Sequence, residues 1–266
     1  MNEVNYNYLK EQLKNTGFGD TLNTELGNKI KEAPAEFQLS QIKDFGRDQV
    51  MATLHFKKGA DSDMFFFNRY QLQLTSNKQE RSAQQIFYIN KGSSITLKEG
   101  YNLLAGRAVH KTLTAKEGEK YSAWIQLDFK STTANGNYDM KQFHQNYGYD
   151  LEKTLAKYPI KELADEQTKK QLISSLERGN LQASTFQIAG KDERLFITAN
   201  PEYKTLTAYN TANQKASLRD LFQKEDQTKR QEQNPEKNVK PENKVDKEMK
   251  QKKEKPASKK SRKQKM

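Results

Sequence analysis

Cysteine is absent from the 266 residues. That removes disulfides, thiolate metal ligands and thiol nucleophiles together, and it fits a reducing compartment. Apolar runs are short: none approaches the roughly 18 residues that would span a bilayer. The opening MNEVNYNYLKEQLK lacks the basic start and apolar stretch of a secretory leader. A soluble, cytoplasmic protein without a membrane span is therefore expected. Histidine is scarce too. His55, His110 and His144 lie far apart, with no i, i+4 partner and no acids at ligand spacing, so each is expected to be structural or superficial and no metal is expected.

Motifs for nucleotides and nucleophiles are also missing. Gly17-Phe18-Gly19 starts like a dinucleotide fingerprint, but Leu22 stands where its third glycine belongs. The stretch NKGSS at 90–94 lacks the flanking glycine and the Gly-Lys-Ser/Thr order of a phosphate cradle. No G-x-S-x-G, H-E-x-x-H or pair of histidines separated by one residue occurs. The chain is read as non-enzymatic, with no catalytic residue and no cofactor.

What is abundant is positive charge, and it is unevenly placed. Of a net +12, residues 223–266 carry +8, from 16 Lys and Arg against 8 Asp and Glu; residues 1–222 carry only +4. The pI of 9.5 is thus mainly a property of the last segment. That segment has no aromatic residue, and its apolar groups are Val239, Val245, Met249, Ala257 and Met266. It cannot bury enough surface to offset an ordering cost of about 1 to 2 kcal/mol per residue, and a disordered basic tail is expected. Trp124, all 12 Tyr and all 13 Phe precede it. At about 25 cal/mol per Å² buried, they can supply a core.

Periodicity divides the remainder. Tyr6, Leu9 and Leu13 share a helical face before Gly17, and Leu22, Leu26 and Ile30 share another behind the candidate caps Asp20 and Thr21, with Pro34 as a stop. From Glu36 the period becomes two. Val50, Ala52, Leu54 and Phe56 form one strand face; further along, Met64, Phe66, Tyr70, Leu72 and Leu74 are expected together, with Phe65 and Phe67 opposite. With 36–42 and 84–90, an antiparallel meander of about four strands is expected over 1–93.

Residues 94–222 read as a helix-hairpin region. Thr96 to Glu99 is a capping box opening a helix of about ten residues that stops at Gly106. Alternation from Tyr121 to Phe129 and the Asn135-Gly136 turn then predict a hairpin returning over 138–145. A similar order follows: Asp150 caps a helix ended by Pro159, Leu172, Ile173 and Leu176 face inward before Gly179, and strands are expected at 184–188, 193–199 and 203–209. LLAGR at 103–107 and LERGN at 176–180 hold matching places. A diverged duplication explains them, as do two unrelated helices that each end at glycine. The expected fold class is α+β: antiparallel sheets with short flanking helices and a disordered tail.

The strings FYINKGSSITLKEGYNLLAGRAVHK, KQFHQNYGYDLEKTLAKYPIKEL and ANPEYKTLTAYN resemble a family of uncharacterised proteins, with a domain of unknown function, carried on conjugative and other mobile elements of anaerobic gut bacteria. The resemblance spans residues 1 to about 215. It implies an association with mobile DNA and transfers no active site.

Two features could contact nucleic acid. In the tail, Lys252, Lys253, Lys255, Lys259, Lys260, Arg262, Lys263 and Lys265 are spaced to neutralise phosphates of DNA or RNA, and no acid follows Glu254. In the body, Trp124 shares a strand face with Ser122, Gln126, Asp128 and Lys130, and Phe143 is expected beside it on the return strand with Lys141 nearby. If open, these rings are a stacking platform; a mixed face of this kind is also often covered by a helix or a neighbouring domain. Phe65 and Phe67, beside Arg69, pose the same alternative. The leading expectation is an accessory protein of a mobile element with weak, sequence-independent nucleic-acid binding. The other is a protein-interaction adaptor whose tail aids solubility.

Overall fold

A computed structural model describes residues 2–76, 82–90, 92–115 and 118–222, all within one compact unit, Met1–Glu225. Helix α1 (Glu3–Asn15) is capped by Asn2, whose side chain accepts from the Asn5 N–H. Helix α2 (Asn23–Glu32) follows, and its start departs from expectation. Leu22 occupies the cap position without a side-chain bond, while the Asp20 carboxylate accepts from the Asn23 side chain instead of the backbone. The polar pair lies too early in the turn to reach the free N–H groups.

Four antiparallel strands come next in the order β1 (Glu36–Phe45), β2 (Asp48–Lys58), β3 (Phe65–Ser76) and β4 (Ser82–Tyr88). This is the expected meander. One expectation fails within it: Phe65 and Phe67 are buried with Tyr70, Leu72 and Leu74, while Phe66 is 44 % exposed. The register explains why. His55 pairs with Arg69 but Phe56 pairs with Phe67, so Asn68 is an extra residue, and a bulge reverses the facing of everything on one side of it.

Helix α3 (Leu97–Leu104) opens with the expected capping box, Thr96 and Glu99 each satisfying the other's backbone. It leads into a three-stranded sheet of β5 (Val109–Thr114), β6 (Lys120–Thr132) and β7 (Tyr138–His144), of which β5 was not expected. Helices α4 (Leu151–Leu155) and α5 (Glu166–Glu177) are capped by Asp150 and Asp165. The last sheet has β8 (Gln182–Ile188), β9 (Lys191–Asn200), β10 (Thr205–Tyr209) and the two-residue β11 (Lys215–Ala216), neighbours in that order. The architecture is α+β. No helix among the described residues is long and apolar enough to cross a membrane.

Two hydrophobic cores share the middle sheet. In the first, Leu9, Leu13, Leu26 and Ile30 of α1 and α2 and Leu103 and Leu104 of α3 pack on the inner face of β1–β4, and Val109, Ile125 and Leu127 of the middle sheet join them. In the second, Trp124 and Phe143 of the middle sheet pack with Leu155, Leu172 and Leu176 of the later helices and with Phe186, Leu195 and Ile197 of the last sheet. The centre of the middle sheet, around Ala123 to Ile125, is therefore buried on both sides. The outer face of β1–β4 is not.

Candidate nucleic-acid interface

The rings expected as a stacking platform are brought together and then covered. Trp124 pairs directly with His110 on β5 and Phe143 on β7, but the two aromatic side chains belong to residues only 5 % and 9 % exposed. The Tyr149 ring meets Trp124 edge-on at 5.4 Å. Burial also raises the Tyr149 hydroxyl pKa well above the usual tyrosine range, and the hydroxyl donates to the Thr205 carbonyl. The covered alternative holds for Trp124, because α4, α5 and the last sheet lie over that face. Lys141 is occupied too, bridging Asp128 at 3.4 Å and Glu202 at 3.1 Å.

The tail lysines and arginine, Lys252, Lys253, Lys255, Lys259, Lys260, Arg262, Lys263 and Lys265, lie outside the described residues. The histidines remain apart. His110 faces Glu177 at 3.7 Å, His144 lies against the Tyr121 ring, and His55 is on the first sheet. Among the described residues, no three His, Asp or Glu side chains are grouped to hold a metal.

Sequence reasoning passed over the outer face of β1–β4. Gln38, His55, Arg69 and Tyr88 are successive cross-strand partners, forming one row over all four strands. Beside it runs a second row, Glu36, Lys57 and Phe66. Directly opposed side chains stand roughly 5 Å apart. Between the rows is a hollow of about 470 Å³, lined by Glu36, Gln38, His55, Lys57, Arg69 and Tyr88 among others. Tyr88 is 53 % exposed.

Among the described residues, Arg69 and Lys57 make no salt bridge, although Glu36 shares the hollow. Partial burial and then the Arg69 charge hold the His55 imidazole below its ordinary range, with Glu36 opposing. A neutral imidazole can both donate and accept a hydrogen bond. Polar groups continue the face: Gln71 donates to Gln84, and Gln73 to Ser82. Farther along, Ile42 and Met51 are directly paired and exposed.

A sequence signal for the face did exist. Glutamine, serine and threonine recur at every second position, Ser40, Thr53, Gln71, Gln73 and Gln84 among them, as a solvated sheet face requires. Alternation sets Arg69 opposite Tyr70, where it lies; the bulge alters only the facing of Phe65, Phe66 and Phe67. Comparisons with family models, with curated proteins and with solved structures find no match for this chain.

Proposed function

We propose that this is a non-enzymatic, nucleic-acid-binding accessory protein of a mobile element, using the open face of the first sheet together with the basic tail. The observation that carries the reading is the row Gln38–His55–Arg69–Tyr88, where an arginine that bridges no carboxylate among the described residues stands beside an exposed ring. Phosphates are attracted by such cations without regard to sequence. The tail adds a net +8. If about six of its charges meet phosphates, log affinity falls with log salt at a slope near −5 on duplex DNA. The mobile-element context rests on the resemblance of the strings at 87–111, 141–163 and 199–210.

The test compares full-length protein with a chain ended after Glu225, where the compact unit stops. Labelled single- and double-stranded DNA are titrated at two ionic strengths. Salt-dependent binding by full-length protein that is weakened but retained on truncation is the expected result. Absence of salt-dependent binding by either chain refutes the reading.

A protein-docking adaptor is the second reading, favoured by the exposed pair Ile42 and Met51 on the same face. Apolar pairs left open at one end of a sheet serve protein contacts better than phosphates.

We also read the two helix-to-strand units as a diverged duplication. After α3, the Arg107 N–H bonds the Asn102 carbonyl; after α5, the Asn180 N–H bonds the Ser175 carbonyl in the same six-residue turn. Gly106 and Gly179 take φ of 80° and 77° within those turns. The two turns also bind each other, Arg107 Nε donating to the Gly179 carbonyl.

A further inference from the structure

We infer that the hollow on the first sheet is a site for an unpaired nucleotide, its base stacked on Tyr88 and its phosphate held by Arg69, so that the protein prefers single strands to duplex. The inference rests on the nucleic-acid reading and narrows it to one ligand class.

Three observations point that way. Tyr88 stands at the end of β4, more than half exposed. Its hydroxyl takes part in no hydrogen bond among the described residues, so the ring is free to meet a ligand. A duplex cannot use such a ring, because its bases are already stacked on one another; a single strand can turn a base out onto it. The carboxylates of an acidic peptide would satisfy Arg69 but offer Tyr88 no aromatic face to stack on.

Arg69 is the direct cross-strand neighbour of Tyr88. A phosphate and a stacked base of one nucleotide can therefore engage both side chains at the ~5 Å separation of a cross-strand pair. Arginine suits the phosphate because its fork of donors matches phosphate geometry.

The hollow then accounts for the base edge. Gln38 and His55 lie in the same row as Arg69 and Tyr88, and both offer a donor and an acceptor, which any base can use. Lys57, in the next row, lies where the following phosphate would pass. Glu36, the direct cross-strand partner of Lys57, opposes that charge, so binding there depends on the ring as well as on the cations. The tail distinguishes poorly between strands and duplex, since it meets phosphates alone; the preference has to come from this face.

Fluorescence anisotropy of labelled oligothymidylate and of a duplex of equal length, titrated with the full chain at about 50 and about 200 mM salt, tests the inference. Wild type should bind the single strand more tightly than the duplex. Tyr88→Ala should weaken the single-strand complex roughly 5- to 150-fold and leave the duplex complex unchanged, while Tyr88→Phe, which keeps the ring, should bind like wild type. Arg69→Ala should weaken it and reduce the salt slope by about 0.7. Equal affinity for the two forms, with Tyr88→Ala changing neither, overturns the single-strand site but leaves tail-mediated binding standing. No binding of either form at low salt refutes both. If Arg69→Ala weakens polyglutamate binding as much as oligothymidylate binding while Tyr88→Ala changes neither, the hollow takes acidic peptides and the inference is overturned.

Discussion

A Cβ added to Gly179 would lie 2.8 Å from the carbonyl oxygen of Ala108 and 2.9 Å from Cγ2 of Val109. The turn after α5 is pressed against the entry to β5, at a residue whose φ is also +77°. Glycine is thus required for two separate reasons. Gly46 isolates the second, with φ +69° and nothing within 4 Å of an added Cβ. Gly46→Ala should cost about 1 kcal/mol of stability, and Gly179→Ala about 3 kcal/mol, since overpacking adds to strain. Urea midpoints of the two variants check this; equal losses would show that the close approach is not limiting.

That contact was partly visible in advance. Glycine after a helix is readable from local sequence, as were the capping box at Thr96 and Glu99, the Asn135-Gly136 turn and the alternation of Val50 to Phe56, because each depends on neighbours within a few residues. What covers a surface does not. Trp124 sits among Ser122, Gln126 and Asp128, a pattern that reads as a half-solvated face, and only the later helices and sheet, some thirty to eighty residues on, bury it. The bulge at Asn68 was hidden for a related reason: Phe65, Phe66 and Phe67 are apolar in both phases, so periodicity could not tell which of them faces inward. That misplaced phase touches only Phe65 to Phe67; Arg69 keeps its place opposite Tyr70, and what periodicity could not supply is the register that sets it beside Tyr88. The strand Val109–Thr114 escaped because HKT interrupts its alternation.

Trp124 is the sole tryptophan and lies in the second core, on the sheet shared by both cores. Its fluorescence should be blue-shifted in the native protein and move to the red in one step on unfolding. Trp124→Ala should destabilise by about 3 to 5 kcal/mol through cavity formation. Oligonucleotide affinity, measured where the variant remains folded, should be unaffected. A variant of native stability with weaker DNA binding would restore Trp124 as a contact residue.

Asn102 is fully buried and connects the two helix ends. Its Nδ2 donates to the Arg178 carbonyl at 2.6 Å and to Asn180 Oδ1 at 3.0 Å, and its Oδ1 accepts from Arg107 at 2.7 Å. Alanine there takes one partner from the half-buried Arg107 guanidinium, which keeps its bond to the Gly179 carbonyl, and leaves the Arg178 carbonyl without its side-chain donor, so Asn102→Ala should cost about 3 kcal/mol. Arg107→Ala should cost less in the Asn102→Ala background than alone, as a double-mutant cycle in thermal unfolding would measure. Additive losses would separate the two side chains.

Acid should act on the first sheet through His55. Burial, and then the positive charge of Arg69, hold its folded pKa below the ordinary 6.5, against the opposing pull of Glu36. Between those two values the unfolded chain binds the proton more readily than the folded one, so stability is constant above about 6.5 and declines as pH falls through that window. His55→Gln should flatten this part of the profile of thermal midpoint against pH. Ligand should reverse the trend in affinity: a phosphate on Arg69 screens the charge that opposes protonation, so oligothymidylate binding should tighten from pH 7 to pH 6 in wild type more than in His55→Gln. Affinity that is flat with pH in both proteins would place the phosphate away from Arg69, even if the stability profile behaves as expected.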